Sequence, residues 1–174
     1  MFKNKVYLSI GSNIGDRESN IASSIAMLGS YIEISKIRSS SFYKTEPLYN
    51  ENQPSFLNIV LELETTLTAF QLLDKIHEIE RMLGREEKRQ KNQPRTIDID
   101  IIIFKDSFID TPDLQVPHQG ALLRKFVMVP LSELASEEIF PKTDGFLGCI
   151  DGFVTTPSNG FSNGGISKSS ISPT

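Results

Sequence analysis

Apolar positions recur along the chain with two different periods, and the switches between them predict its elements. Val6 to Ile10 alternates as a short strand and stops at GSNIGDRESN, after which Ile21, Ile25 and Leu28 fall at helical spacing. Gly11 and Gly15 permit positive φ in that turn, and Asn13 or Asp16 can cap the helix. Ile32 to Tyr43 reads as one long, partly exposed strand, and the prolines and asparagines of KTEPLYNENQPS mark an irregular loop. FLNIVLELETTL returns to strand periodicity, with Phe56, Asn58, Val60 and Glu62 on one face. From Thr68 onward, Leu72, Ile76, Ile79 and Leu83 form one stripe of an amphipathic helix that ends near Gly84. Thr96 to Phe104, rich in isoleucine, reads as a buried central strand. It puts Asp98, Asp100, Ile102 and Phe104 on one face and Ile97, Ile99, Ile101 and Ile103 on the other. Beyond it come a turn, a short extended segment ending at Pro117 and His118, and short helical turns carrying Arg124 and Phe126.

The order βαββαβ with extras predicts an α+β fold, a ferredoxin-like two-layer sandwich with additional strands and short helices, packed mainly on one face of the sheet. From Gly145 the chain turns to Gly, Ser, Thr, Asn and Pro. Residues 1–144 are therefore expected to form the folded domain and 145–174 a disordered tail.

Composition narrows the function. The 174 residues, 39% hydrophobic and 23% charged, suit one globular domain. A net charge of −4 excludes a general nucleic-acid binder, so an anionic ligand must meet a local cluster of cations. One cysteine, Cys149, forbids an intrachain disulfide, and with only His77 and His118 beside it a structural zinc site is not expected. No apolar run reaches the length of a membrane span and the first residues lack the apolar core of a signal peptide, which predicts a cytoplasmic protein with no membrane partner.

Two carboxylates at alternate strand positions, Asp98 and Asp100, converge on one site unless they merely face water. Magnesium, with one or two carboxylates plus substrate phosphates as ligands, suits the first alternative. Phe56 beside Asn58 can hold a flat heterocycle, or can be a core ring next to a turn-stabilising amide. The run GREEKRQKNQPR is either a solvated loop or a basic lid for phosphates. The residues alone leave each pair of alternatives open.

Taken together, GSNIGD, SFYKTEPL leading to NQPSFLN, Gly84–Arg85, PRTIDIDI, and VPH followed by RKFVMVPL resemble the hydroxymethyldihydropterin pyrophosphokinases of folate biosynthesis, over roughly residues 5–141. The resemblance implies transfer of pyrophosphate from ATP to 6-hydroxymethyl-7,8-dihydropterin, with AMP released. It implies that Asp98 and Asp100 bind two magnesium ions and that Arg85 and Arg95 act with them in catalysis. Thr45, Pro47, Leu48, Phe56, Asn58 and Phe126 would then hold the pterin. Arg85, Lys91, Arg95, Ile101, His118 and Arg124 would contact ATP. It also implies possible association with other folate-pathway enzymes. The chain departs from the family pattern at Glu87, Lys91 and Asn92 and in the segment beginning at Gln119, all on the nucleotide side. A non-catalytic pterin or nucleotide binder and a different metal-dependent nucleotidyltransferase are the competing readings.

Overall fold

The structure, a computed structural model, describes residues 3–47, 52–85, 94–135 and 166–168. Its main sheet is antiparallel and built on β1 (Asn4–Ser12), which lies between β4 (Phe56–Thr65) and β5 (Asp98–Phe104). The far edge of β4 carries two strands end to end, β2 (Ile34–Ser39) against its C-terminal half and β3 (Tyr43–Thr45) against its start. A last strand, β8 (Ile166–Lys168), pairs with β3 and so puts three residues of the segment expected to be a disordered tail into the sheet, while β6 (Ile109–Asp110) and β7 (Gln115–Val116) form a separate small hairpin.

Helices α1 (Arg17–Ser30) and α2 (Ala69–Met82) cover one face of the sheet. Ile21, Leu28, Leu72, Ile76 and Ile79 pack there against Val6, Leu8, Ile10, Ile59, Leu61, Ile99 and Ile101. Each helix starts where the chain supplies a cap. The Asp16 carboxylate accepts from Ser19 N, and Thr68 forms a reciprocal capping box with Gln71. Gly84 takes φ +89 just past α2, as a helix C-terminus favours. The opposite face is covered as well. Short α3 (Gln119–Leu122) and α4 (Lys125–Leu134) bury Val127, Met128 and Leu131 against Tyr7, Val60, Ile102 and Ile103. The expected packing mainly on one face thus gains a partial layer on the other.

Two strand assignments change. The single strand expected from Ile32 to Tyr43 is broken into β2 and β3 at Ser40. Its backbone N still donates to Val60 O at 2.9 Å, but its hydroxyl accepts from Val60 N, also at 2.9 Å, which interrupts the ladder; Lys36, at φ 52, already bulges the pairing upstream. In β5 a register shift between the partners of Tyr7 and Leu8 defeats strict alternation. Ile102 and Ile103 both join the α4-side cluster, and Phe104 turns to the α1/α2 core, away from the face of Asp100. Residues N-terminal to the bulge keep the predicted alternation.

Candidate active site

Pairing register brings the candidate residues into rows. Gly11 lies opposite Asn58 on β4 and opposite Asp98 on β5, and Tyr43 lies opposite Asn58 on β3. Directly opposed residues share a face, so Tyr43, Asn58, Gly11 and Asp98 form one row across four strands. The next row holds Val60, Ser9 and Asp100. Two strand spacings separate Asn58 from Asp98, roughly 10 Å between backbones, enough for a substrate to bridge them.

On the β4 side the Asn58 amide is buried and fixed. Its Nδ2 donates to Thr45 Oγ1 at 2.8 Å, and its Oδ1 lies 2.8 Å from where a Cβ on Gly11 would stand. Gly11 is therefore required for close approach, not for the positive φ expected of it. Only Gly15 and Gly84 among the described glycines take positive φ. Phe56 and Pro47 are half-buried beside this pair, and Thr45 is buried. Phe126, half-buried at the start of α4, packs on the α4-side cluster with the Arg124 guanidinium 5.8 Å above its ring. Leu48 lies outside the described residues.

On the β5 side, Asp98 forms an ion pair with Arg85 at 2.8 Å and accepts from Arg95. Asp100, which burial and the neighbouring Asp98 charge push up to about 6, is opposed by the charges of His118, Arg95 and Arg85. His118 caps α3 by accepting from Ala121 N on Nδ1, which leaves Nε2 as its outward polar atom. The Ile101 side chain is buried in the α1/α2 core, so only its backbone is available to a ligand. Lys91, Glu87 and Asn92 lie outside the described residues, and Gln119 opens α3. His77 sits on the exposed side of α2.

Two residues that periodicity did not single out hold these halves together. Glu80, buried on α2, accepts from Ile99 N at 2.8 Å and from Arg85, and so ties the helix end to β5 and to the Asp98 cluster. Burial pushes its carboxyl up to about 7, against the pull of the Ile99 N–H and Arg85. Its position four residues after Ile76, on the buried side of the stripe, was a usable signal. Asn13, fully buried, exchanges two hydrogen bonds with the Arg95 backbone at 2.7 and 3.0 Å and donates to Gln53 and Pro54 O. Arg17 adds a bond to Ser55 O at 2.6 Å. The segment before β4 and the segment before β5 are thereby both fastened to the β1–α1 turn.

Among the described residues no group of three or more His, Cys, Asp or Glu side chains gathers to hold a metal. Two carboxylates are a suitable share for magnesium, whose remaining ligands are phosphate oxygens and water. The donor set thus fits that ion only together with a phosphorylated substrate.

The fold is found in solved structures. The fold matches the crystal structure of Plasmodium falciparum HPPK-DHPS wild type with pterin and p-hydroxybenzoate, with a TM-score of 0.61 at 16% identity, over 88% of this chain and 43% of that one. In sequence, the model of the 7,8-dihydro-6-hydroxymethylpterin-pyrophosphokinase (HPPK) family matches residues 7–136. The 2-amino-4-hydroxy-6-hydroxymethyldihydropteridine pyrophosphokinase of Bacillus subtilis is 39% identical over 134 residues, 77% of this chain and 80% of the relative. The bifunctional protein FolKE of Lactococcus lactis is 44% identical over 132 residues, 76% of this chain but 38% of the relative. The chain belongs to the HPPK family.

Proposed function

We infer that the chain transfers pyrophosphate from ATP to 6-hydroxymethyl-7,8-dihydropterin, giving AMP and the pterin diphosphate ester of folate biosynthesis. The observation that carries this reading is the row in which the fixed Asn58 amide and the Asp98 carboxylate flank a glycine floor. Such a row suits a heterocycle at one end and a metal-bound polyphosphate at the other.

In the proposed mechanism Asn58 and Thr45, with backbone near Pro47 and Leu48, read the pterin edge, while Phe56 and Phe126 stack on its faces. Asp98 and Asp100 hold magnesium, two ions in our reading, which supplies Lewis-acid stabilisation and orientation of the phosphates when bound. Arg85 and Arg95 lie beside Asp98 and would carry their positive charge to the phosphate oxygens of ATP, with Arg124, His118, Lys91 and the Ile101 backbone completing the contacts. The pterin hydroxymethyl oxygen attacks the β-phosphorus in line, the bond from that phosphorus to the α,β-bridging oxygen breaks, AMP leaves, and the hydroxyl proton passes to solvent. Positioning and charge stabilisation account for most of the rate in such transfers, so no strong protein base is needed.

We also propose that residues 1–144 form the catalytic unit, that the sheet and its α1/α2 layer are a ferredoxin-like βαββαβ core, and that the protein works in the cytoplasm. No helix among the described residues is long and apolar enough to cross a membrane. The fused relative from Lactococcus supports association with another folate-pathway enzyme. Mixing the protein with ATP, magnesium and the pterin alcohol should yield AMP that depends on the pterin. ADP as the nucleotide product would contradict the reading, and pterin binding without any product would favour a non-catalytic binder.

A further inference from the structure

We propose that Glu133, near the end of α4, is a positioning residue for the pterin pocket: it holds β3 against the sheet so that Thr45 Oγ1 stays within hydrogen-bond reach of the Asn58 amide. The inference rests on the functional reading above and concerns a residue that touches neither substrate.

β3 has only three residues and follows the break at Ser40, so its own ladder to β4 is short. Two donors from this segment converge on one carboxylate. Ser41 N donates to Glu133 Oε2 at 2.9 Å, and the Tyr43 hydroxyl donates to Oε1. Each oxygen of Glu133 thus accepts from the same short stretch, across 92 and 90 residues of chain. Tyr43 is buried, and burial together with this bond raises its pKa, so it remains a donor at ordinary pH.

The consequence reaches Asn58 in two steps. Tyr43 stands opposite Asn58, and Thr45, two residues further along β3, offers the oxygen that accepts from Asn58 Nδ2. Gly11 makes room for Oδ1 on the other side. The amide is therefore held in place from both sides. If β3 drifts, Asn58 Nδ2 loses its acceptor and the amide is free to turn away from the edge of a heterocycle. α4 is held independently by Val127, Met128 and Leu131 in the core, so losing the Glu133 clamp does not unseat the helix. Glu133 itself is exposed, where a polar contact adds little to global stability.

The test compares wild type, Glu133→Ala, Glu133→Gln, Thr45→Val and the Glu133→Ala/Thr45→Val double variant. Each is saturated with magnesium and a non-hydrolysable ATP analogue and titrated with 6-hydroxymethyl-7,8-dihydropterin. Analogue affinity and unfolding midpoint are measured separately. Glu133→Ala should raise the pterin Kd roughly three- to tenfold and leave the analogue Kd within about twofold. Thr45→Val should show the same selective loss, the double variant should be no worse than the larger single one, and Glu133→Gln, which keeps an acceptor for Tyr43, should recover most of it. A Glu133→Ala pterin Kd equal to wild type overturns the inference, as does a parallel loss of both ligands with the unfolding midpoint. Failure of the wild type to bind the pterin overturns the functional reading and this inference with it.

Discussion

Gly11 acts through the side chain it lacks. It sits between Asn58 and Asp98, and a methyl there would lie 2.8 Å from Asn58 Oδ1, too close to be tolerated without moving the amide. Gly11→Ala should therefore raise the pterin Kd at least roughly tenfold, about 1.4 kcal/mol, while the protein still folds. A fluorescence titration giving the wild-type Kd would mean that the amide relaxes without cost. The alternation of β4 already placed Phe56 and Asn58 on a common face, because a strand's period of two is a local property. What Gly11 and Asn13 do was not legible. Asn13 looked like a helix cap, a role Asp16 fills, and its partners at Pro54 and Arg95 lie 41 and 82 residues away. No window of sequence contains such a contact.

At the scale of elements, the helices were readable because their stripes and caps are short-range, whereas the strand errors came from the Ser40 hydroxyl interrupting the ladder and from the bulge in β5. Periodicity in β5 held from Asp98 to Ile101 and failed at the bulge beyond, so the acidic pair survived and Phe104 did not. Glu80 shows how an element is joined to the site. Its carboxyl is raised from 4.5 to about 7 in the fold, chiefly by burial. Between those values the native state keeps a proton that the unfolded chain has released, so this stabilising contribution is complete below pH 4.5 and is lost as pH rises through 7. Glu80→Gln, which cannot ionise but can still accept from Ile99 N, should match wild-type stability near pH 5 and exceed it by about 1–2 kcal/mol at pH 8. Melts in chelator at the two pH values check this. A difference that does not change with pH would show that Glu80 ionises without penalty.

Across the whole molecule, the sheet and its two helical layers place an acidic protein's cations where they are needed. The formal charge is −4, yet Arg85, Arg95, Arg124 and His118 all belong to the elements around Asp98 and Asp100 or to the start of α4. The order of the main elements as far as β5 was legible from hydrophobic pattern, apart from the β2–β3 break, but the second layer was not, since α4 reads as short turns until Val60 and Tyr7 are seen to need a cover. Chemistry became legible only from several motifs together, because each of them has an ordinary structural reading when taken singly. The most direct test of the central claim follows AMP and pterin diphosphate in wild type and Asp100→Ala, with magnesium and then with chelator. Wild type should form the two products in equal amounts only when magnesium and pterin are both present. Asp100→Ala should form neither while still binding the pterin. Turnover by Asp100→Ala near the wild-type rate, or ADP in place of AMP, would contradict the account.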